Sequence, residues 1–317
     1  MDKFILNQPV HSPADMKAAN LPYVLPAILR VRSIVRLPTS ARLILNRATL
    51  YHDKAHFAIE WVTRHPDIRI RRNSLVSVMW TKRKPIGAEP FWADRLVLVE
   101  RPRAEVNLFE TVPPTLVSDR GLLARASKLW AALPRDFRHL FNGIFWNGER
   151  FLKYLVGPAS LETELSKPSA NFRHCVEVAE EAHALARCRG RSQVPIAIVA
   201  GLLHDAGKAE EFRFDRVNRC CMLSETGKLI GHRDRLQHWI VTAIATHRIA
   251  LSEIQLTHLL HVLTAAPHAP ERSRGRPART LEAAVLLLAD RFVAEGSQTY
   301  SQAANQSEFD GPNFRAG

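Results

Sequence analysis

Residues 201–208 read Gly-Leu-Leu-His-Asp-Ala-Gly-Lys and follow directly on the apolar run Val194–Ala200, VPIAIVA. Such a run predicts a buried helix ending near Gly207. His204 and Asp205 leave its end together, and adjacent imidazole and carboxylate groups can both reach one divalent ion. Two ligands are not a site, and an isolated His-Asp pair is more often structural. The candidates that complete it are His174, upstream in FRHCVEVAEEA, and Asp290, downstream in LEAAVLLLADRFVA. His174, His204, Asp205 and Asp290 then come from three predicted helices, and their carboxylate content suits Mn, Fe or Mg better than a structural zinc.

Around this core the C-terminal half keeps helical spacing. Apolar residues recur at helical intervals in GLLARASKLWAAL (121–133) and in FRHLFNGIFWNGERFLKYLV (137–156), which Gly157 and Pro158 close. A helix starts near Asn171, and further helical patterns cover 231–246, 252–263 and 279–295. The N-terminal half differs. Four short runs rich in Val, Ile, Leu and aromatics (ARLILNRATLYH, AHFAIEWVT, SLVSVMWTK and ADRLVLVERP) alternate with turn formers such as His65-Pro66-Asp67 and Lys84-Pro85-Ile86-Gly87. They predict a small antiparallel β-barrel of OB-like type, a fold that binds single strands across one face; a barrel with no ligand is the alternative. The predicted class is thus multi-domain α and β. It comprises an irregular lead-in (1–40), an OB-like β-domain (41–104), a linker with Pro113 and Pro114 (105–121), an all-helical domain (122–296) and a flexible tail (297–317).

Composition narrows the function. The 317 residues exceed what one core usually organises, and 46% apolar with 24% charged excludes wholesale disorder. No apolar run is long enough to span a bilayer, and MDKFILNQPVHSPADMK lacks a leader's apolar segment, so a cytoplasmic protein with no membrane partner is expected. Cys175, Cys188, Cys220 and Cys221 form no CxxC pair, which argues against disulfides and a cysteine zinc site. The net charge of +13 is uneven. Residues 1–160 hold 25 basic and 13 acidic side chains, against 19 and 18 in 161–317, so nearly all the excess is N-terminal. Arg69, Arg71, Arg72, Trp80, Lys82, Arg83 and Lys84 interleave cations with an aromatic, as a surface for single-stranded RNA or DNA does. A solvated basic face with no partner is the bland alternative.

The order His174, His204-Asp205, Asp290 resembles the HD-domain metal-dependent phosphohydrolase superfamily, an all-helical fold with the signature H…HD…D. ETGKLIGH (Glu225–His232) and RPARTLEAAVLLLADRF (Arg276–Phe292) resemble the YhaM-type 3′–5′ exoribonucleases, in which an OB domain precedes the HD domain; this resemblance spans about residues 40–295. A weaker one is to the HD region of MobH-type, TraI-like conjugative relaxases. The resemblance implies His174, His204, Asp205 and Asp290 as metal ligands, Asp205 as the catalytic carboxylate facing metal and nucleophile, and Lys208 near the substrate phosphate. His232 matches a retained family histidine and is a candidate for a second ion or a phosphate.

The chain also departs from that pattern. No histidine pair precedes His174, and Ala265 and Ala266 stand where the family has another pair; His247 and His268 are the nearest substitutes. One metal, or two held weakly, is expected. The leading expectation is a metal-dependent phosphodiesterase on single-stranded nucleic acid. The alternatives are a nucleic-acid-binding accessory protein with a degenerate HD domain, and a nucleotide phosphohydrolase.

Overall fold

The computed structural model describes residues 25–39, 42–80, 90–146, 148–161, 168–190, 193–215, 220–265 and 277–307, without the side chains of 214–215 and 297–307. The chain divides into two compact units, Met1–Glu100 with Thr111–Pro113, and Arg101–Glu110 with Pro114–Gly317.

In the first unit, strands β1 (Leu29–Pro38), β2 (Ile44–His52), β3 (Ala55–Thr63), β4 (Leu75–Trp80) and β5 (Phe91–Leu98) close a barrel in the order β1-β2-β3-β5-β4. Alternate residues point inward, as strand geometry demands, and Leu50, Phe57, Ile59, Val76, Phe91 and Leu96 fill the interior. The architecture is the expected OB-like barrel, with one correction to its antiparallel reading. β3 and β5 run parallel, paired through Ile59–Phe91 and Glu60–Trp92.

A second correction concerns residues 29–38. They were expected to be irregular, yet they form β1, paired with β2 from Arg30–Tyr51 to Pro38–Ile44. Arginines at 30, 32 and 36 hide the alternation. Arg30 is buried all the same, because its guanidinium donates to Thr111 O (3.1 Å), Thr111 Oγ1 (2.8 Å) and Asn73 O (2.9 Å). Burial pushes its pKa down to about 10. The predicted linker is likewise ordered: Leu108–Thr111 forms a 3-10 turn, and Leu108, Phe109 and Val112 are buried. Its apolar residues outweigh the Pro113-Pro114 signal.

The second unit contains α1 (Arg120–Ala131), α2 (Arg135–Phe145), α3 (Gly148–Val156), α4 (Ala170–Cys188), α5 (Val194–Leu203), α6 (Lys208–Glu211), α7 (Glu225–Leu229), α8 (His232–His247), α9 (Glu253–Thr264) and α10 (Leu281–Ser307). Start signals are readable. Asp119 caps α1 by accepting from Leu122 N (2.9 Å), and Ser252 with Gln255 forms a capping box on α9. The unit is not purely helical, since Phe212–Asp215 and Cys220–Leu223 pair as a short hairpin, β6–β7. Nor does the predicted tail begin at 297, because α10 runs on to Ser307. No helix among the described residues is long and apolar enough to cross a membrane.

The core of this unit is aromatic and tight. Phe109, Phe141, Phe145, Phe151 and Phe172 pack ring on ring, and Tyr154 donates its hydroxyl to Leu202 O (2.8 Å), tying α3 to α5. α5 is buried along its length from Ile196 to Leu203 and lies against α4. Gly201 sets their separation: a Cβ there would fall 2.5 Å from Ala179 Cα. Gly201→Ala should therefore force the helices apart and lower the unfolding free energy by roughly 1–3 kcal/mol, the usual cost of overpacking. Denaturant unfolding measures it, and unchanged stability would contradict this packing.

Candidate metal centre

The close approach of α4 and α5 brings two imidazoles together. His174 projects from α4, His204 caps the end of α5, and their Nε2 atoms lie 3.2 Å apart. Asp290 of α10 places Oδ1 3.1 Å from His174 Nε2 and 3.8 Å from His204 Nε2. Two donors about 2.1 Å from a shared ion sit roughly 3.0 Å apart at a right angle and roughly 3.4 Å apart at the tetrahedral angle. The three observed separations fall around that range, and these atoms meet the geometric requirement for a common ion. Asp205 stands slightly outside, with Oδ2 3.8 Å from His174 and 3.7 Å from His204.

Local contacts fix the orientation of each group. His204 Nδ1 lies 2.9 Å from Gly201 O, a bond that places its proton there and turns the Nε2 lone pair toward Asp290 and His174. Asn171, one helical turn before His174, donates Nδ2 to Asp205 O (3.1 Å). Gly207 completes the arrangement: a Cβ would fall 2.0 Å from His232 O, so only glycine lets the start of α8 reach Asp205. His232 Nε2 then sits 3.4 Å from Asp205 Oδ1, with Nδ1 2.9 Å from Glu211 Oε2. Asp205 thus has His174 and His204 on one side, His232 on the other, and Lys208 Nζ 2.6 Å from Oδ2.

The electrostatics follow. Burial alone would raise the Asp205 pKa, but His204, Lys208 and His232 outweigh it and hold the carboxyl well below its usual range. For Asp290, burial also pulls upward and is overcome by the hydrogen bond from His174 and the nearby imidazoles. Burial pushes His204 below the ordinary histidine value, against the opposing pull of Asp205 and Asp290. Ionised carboxylates beside a neutral imidazole are the protonation states a cation requires.

The predicted site residues divide clearly. His174, His204, Asp205, Asp290, Lys208 and His232 come together. His247 does not: it ends α8, fifteen residues and about 22 Å of helix rise from His232. His268 and Ala266 lie outside the described residues. Ala265 lines the same small cavity as His204, Asp205 and Asp290, so a methyl group faces the site where the resembled family has histidine. In the barrel, Arg71 and Arg72 are exposed, but Arg69 is neutralised by Asp67 (2.7 Å) and Glu100. Trp80 is half-buried and packs against the barrel core beside Phe57, with ring centroids 5.9 Å apart, so only part of its ring faces solvent. Among the described barrel residues the most exposed Phe, Tyr or Trp is Trp92, at 54%. Lys82, Arg83 and Lys84 belong to the β4–β5 connection, outside the described residues. Sequence reasoning missed Asn171, Glu211 and Trp92. Asn171 carried a signal in its three-residue spacing before His174, whereas Glu211 carried none.

Residues 171–295 match the HD domain family. The match supports placing this segment in the HD superfamily and suggests metal-dependent phosphohydrolase activity. Every residue gathered at the HD centre lies inside it. No curated protein and no solved structure matches the chain.

In metal-free protein the depressed value keeps His204 neutral at pH 7. An NMR titration should find its midpoint below 6.5; a midpoint above 6.5 would contradict the burial described here. Glu211→Gln should leave the fold and divalent-ion uptake nearly unchanged, because the histidine it backs, His232, stands on the far side of Asp205 from the His174–His204–Asp290 cluster. Calorimetry with Mn²⁺ reads it, and an about tenfold loss of uptake, the usual effect of removing a partner behind a ligating histidine, would bring His232 into the ligand set.

Proposed function

We propose that the protein is a metal-dependent phosphodiesterase acting on single-stranded nucleic acid, RNA in preference to DNA, with the 3′–5′ exonucleolytic character of the YhaM-type enzymes it resembles. The carrying observation is the convergence of His174, His204 and Asp290 within bonding range of one point, with Asp205 beside them. Those four residues would hold the ion. A divalent ion in such a set supplies charge neutralisation at a phosphate oxygen and acidifies a water molecule. Asp205 orients the nucleophile, Lys208 balances the Asp205 charge, and His232, backed by Glu211, carries the proton.

The barrel supports a nucleic-acid substrate over a small one. OB-type barrels bind strands with the β2–β3 face and the β1–β2 and β4–β5 loops. Here the β4–β5 connection carries Lys82, Arg83 and Lys84, and exposed Trp92 follows it on β5. Base stacking and phosphate neutralisation both favour a single strand without reading its sequence.

A second reading, a TraI-like nucleic-acid-binding accessory protein whose HD domain has lost activity, is favoured by Ala265 at the cavity. A metal-screened nuclease assay on labelled single-stranded RNA and DNA separates the two. Hydrolysis with Mn²⁺, Fe²⁺ or Mg²⁺ that Asp205→Ala abolishes, with strand binding retained, supports the enzyme; binding without hydrolysis in any metal supports the accessory protein. Replacing Lys82, Arg83 and Lys84 with alanine should reduce the log–log salt slope of strand binding by about 2, at about 0.7 per lost phosphate contact. An unchanged slope removes that segment from the interface.

A further inference from the structure

Most cations around the centre are already engaged. Lys208 is held by Asp205 at 2.6 Å. Arg235 donates Nε to Glu210 (2.6 Å), Arg150 lies 3.6 Å from the same carboxylate and over the Trp239 ring, and Arg173 pairs with Asp119 (2.7 Å). Arg233 is different. Among the described residues it has no hydrogen bond or ion pair, it is exposed, and it lines the same cavity as His204, Asp205 and Asp290.

The cavity limits what Arg233 can meet. Its volume is about 30 Å³, room for a water molecule or one phosphoryl oxygen but not for a nucleotide. Val262 and Leu263 of α9 and Leu286 and Leu287 of α10 wall it with apolar side chains, which offer an anion nothing. An incoming phosphate therefore meets Asp290, the most exposed carboxylate of the group, and needs a compensating positive charge at the rim. Lys208 cannot supply it while it neutralises Asp205. Arg233 can, and a planar guanidinium fork matches two phosphate oxygens at once.

We propose that Arg233 is the phosphate-binding residue of this site, gripping the substrate phosphoryl group at the cavity rim. The assignment rests on the phosphodiesterase reading and gives Arg233 the phosphate contact that the family resemblance implied for Lys208. It implies a substrate that puts one phosphoryl oxygen into the cavity, with sugar and base remaining outside.

The test uses the full chain, wild type, Arg233→Ala and Arg233→Lys, with two calorimetric titrations: Mn²⁺ into metal-free protein, and inorganic phosphate into metal-free and Mn²⁺-loaded protein. Mn²⁺ uptake should be unchanged in both variants. Phosphate affinity should fall about tenfold or more in Arg233→Ala, with or without Mn²⁺, and recover in part in Arg233→Lys; for RNA cleavage, KM should rise with little change in kcat. Phosphate affinity that is unchanged in Arg233→Ala, or undetectable in the wild type, overturns the proposal. So does loss of Mn²⁺ uptake in both variants, since Arg233 would then be supporting the ligand set. If the wild type binds phosphate through Arg233 but cleaves no nucleic acid, the phosphodiesterase reading fails and the Arg233 assignment stands.

Discussion

Two backbone contacts hold the centre together, and both exist because a side chain is missing. Gly201 lets α5 lie against Ala179 of α4, which brings the Nε2 atoms of His174 and His204 within 3.2 Å of each other. Gly207 lets the carbonyl of His232 approach a turn that any Cβ would block, which brings α8 to Asp205. Remove the first and His174 and His204, 30 residues apart, no longer share a point; remove the second and His232 no longer reaches Asp205. In GLLHDAGK, then, the glycines do as much as the histidine and aspartate between them.

The charge pattern explains why such a cluster persists in a folded protein. Two imidazole nitrogens and a carboxylate oxygen aimed at one point repel one another unless a proton or a cation lies between them. The chain supplies partial compensation of its own, with Lys208 on Asp205 and His174 on Asp290. The contact between His174 and Asp290 is one that a divalent ion can replace. A site arranged this way tolerates the absence of its ion and gains from its presence, which fits the HD domain match over residues 171–295.

How much of this could be read in advance depended on whether the signal was local. The helix carrying His174, the apolar helix before His204 and the helix carrying Asp290 all declare themselves by periodicity, and four of the five barrel strands do so by alternation. β1 did not, because Arg30 is buried through hydrogen bonds to Thr111 and Asn73, residues far away in sequence. Trp80 reads as a surface aromatic because it sits among lysines and arginines, yet it is half-buried against Phe57 of β3. Glu211 and Arg233 were invisible for the same reason: their importance lies in what faces them across space. Covalent order reveals elements and motif ligands, whereas partners behind those ligands become apparent only once helices pack.

The most direct measurement is a crystal soaked with Mn²⁺ and located by anomalous scattering. The account predicts a peak within bonding distance, about 2.0–2.2 Å, of His174 Nε2, His204 Nε2 and Asp290 Oδ1, with Asp205 turned toward it. Strong Mn²⁺ density elsewhere, or none at these side chains at saturating concentration, would contradict it.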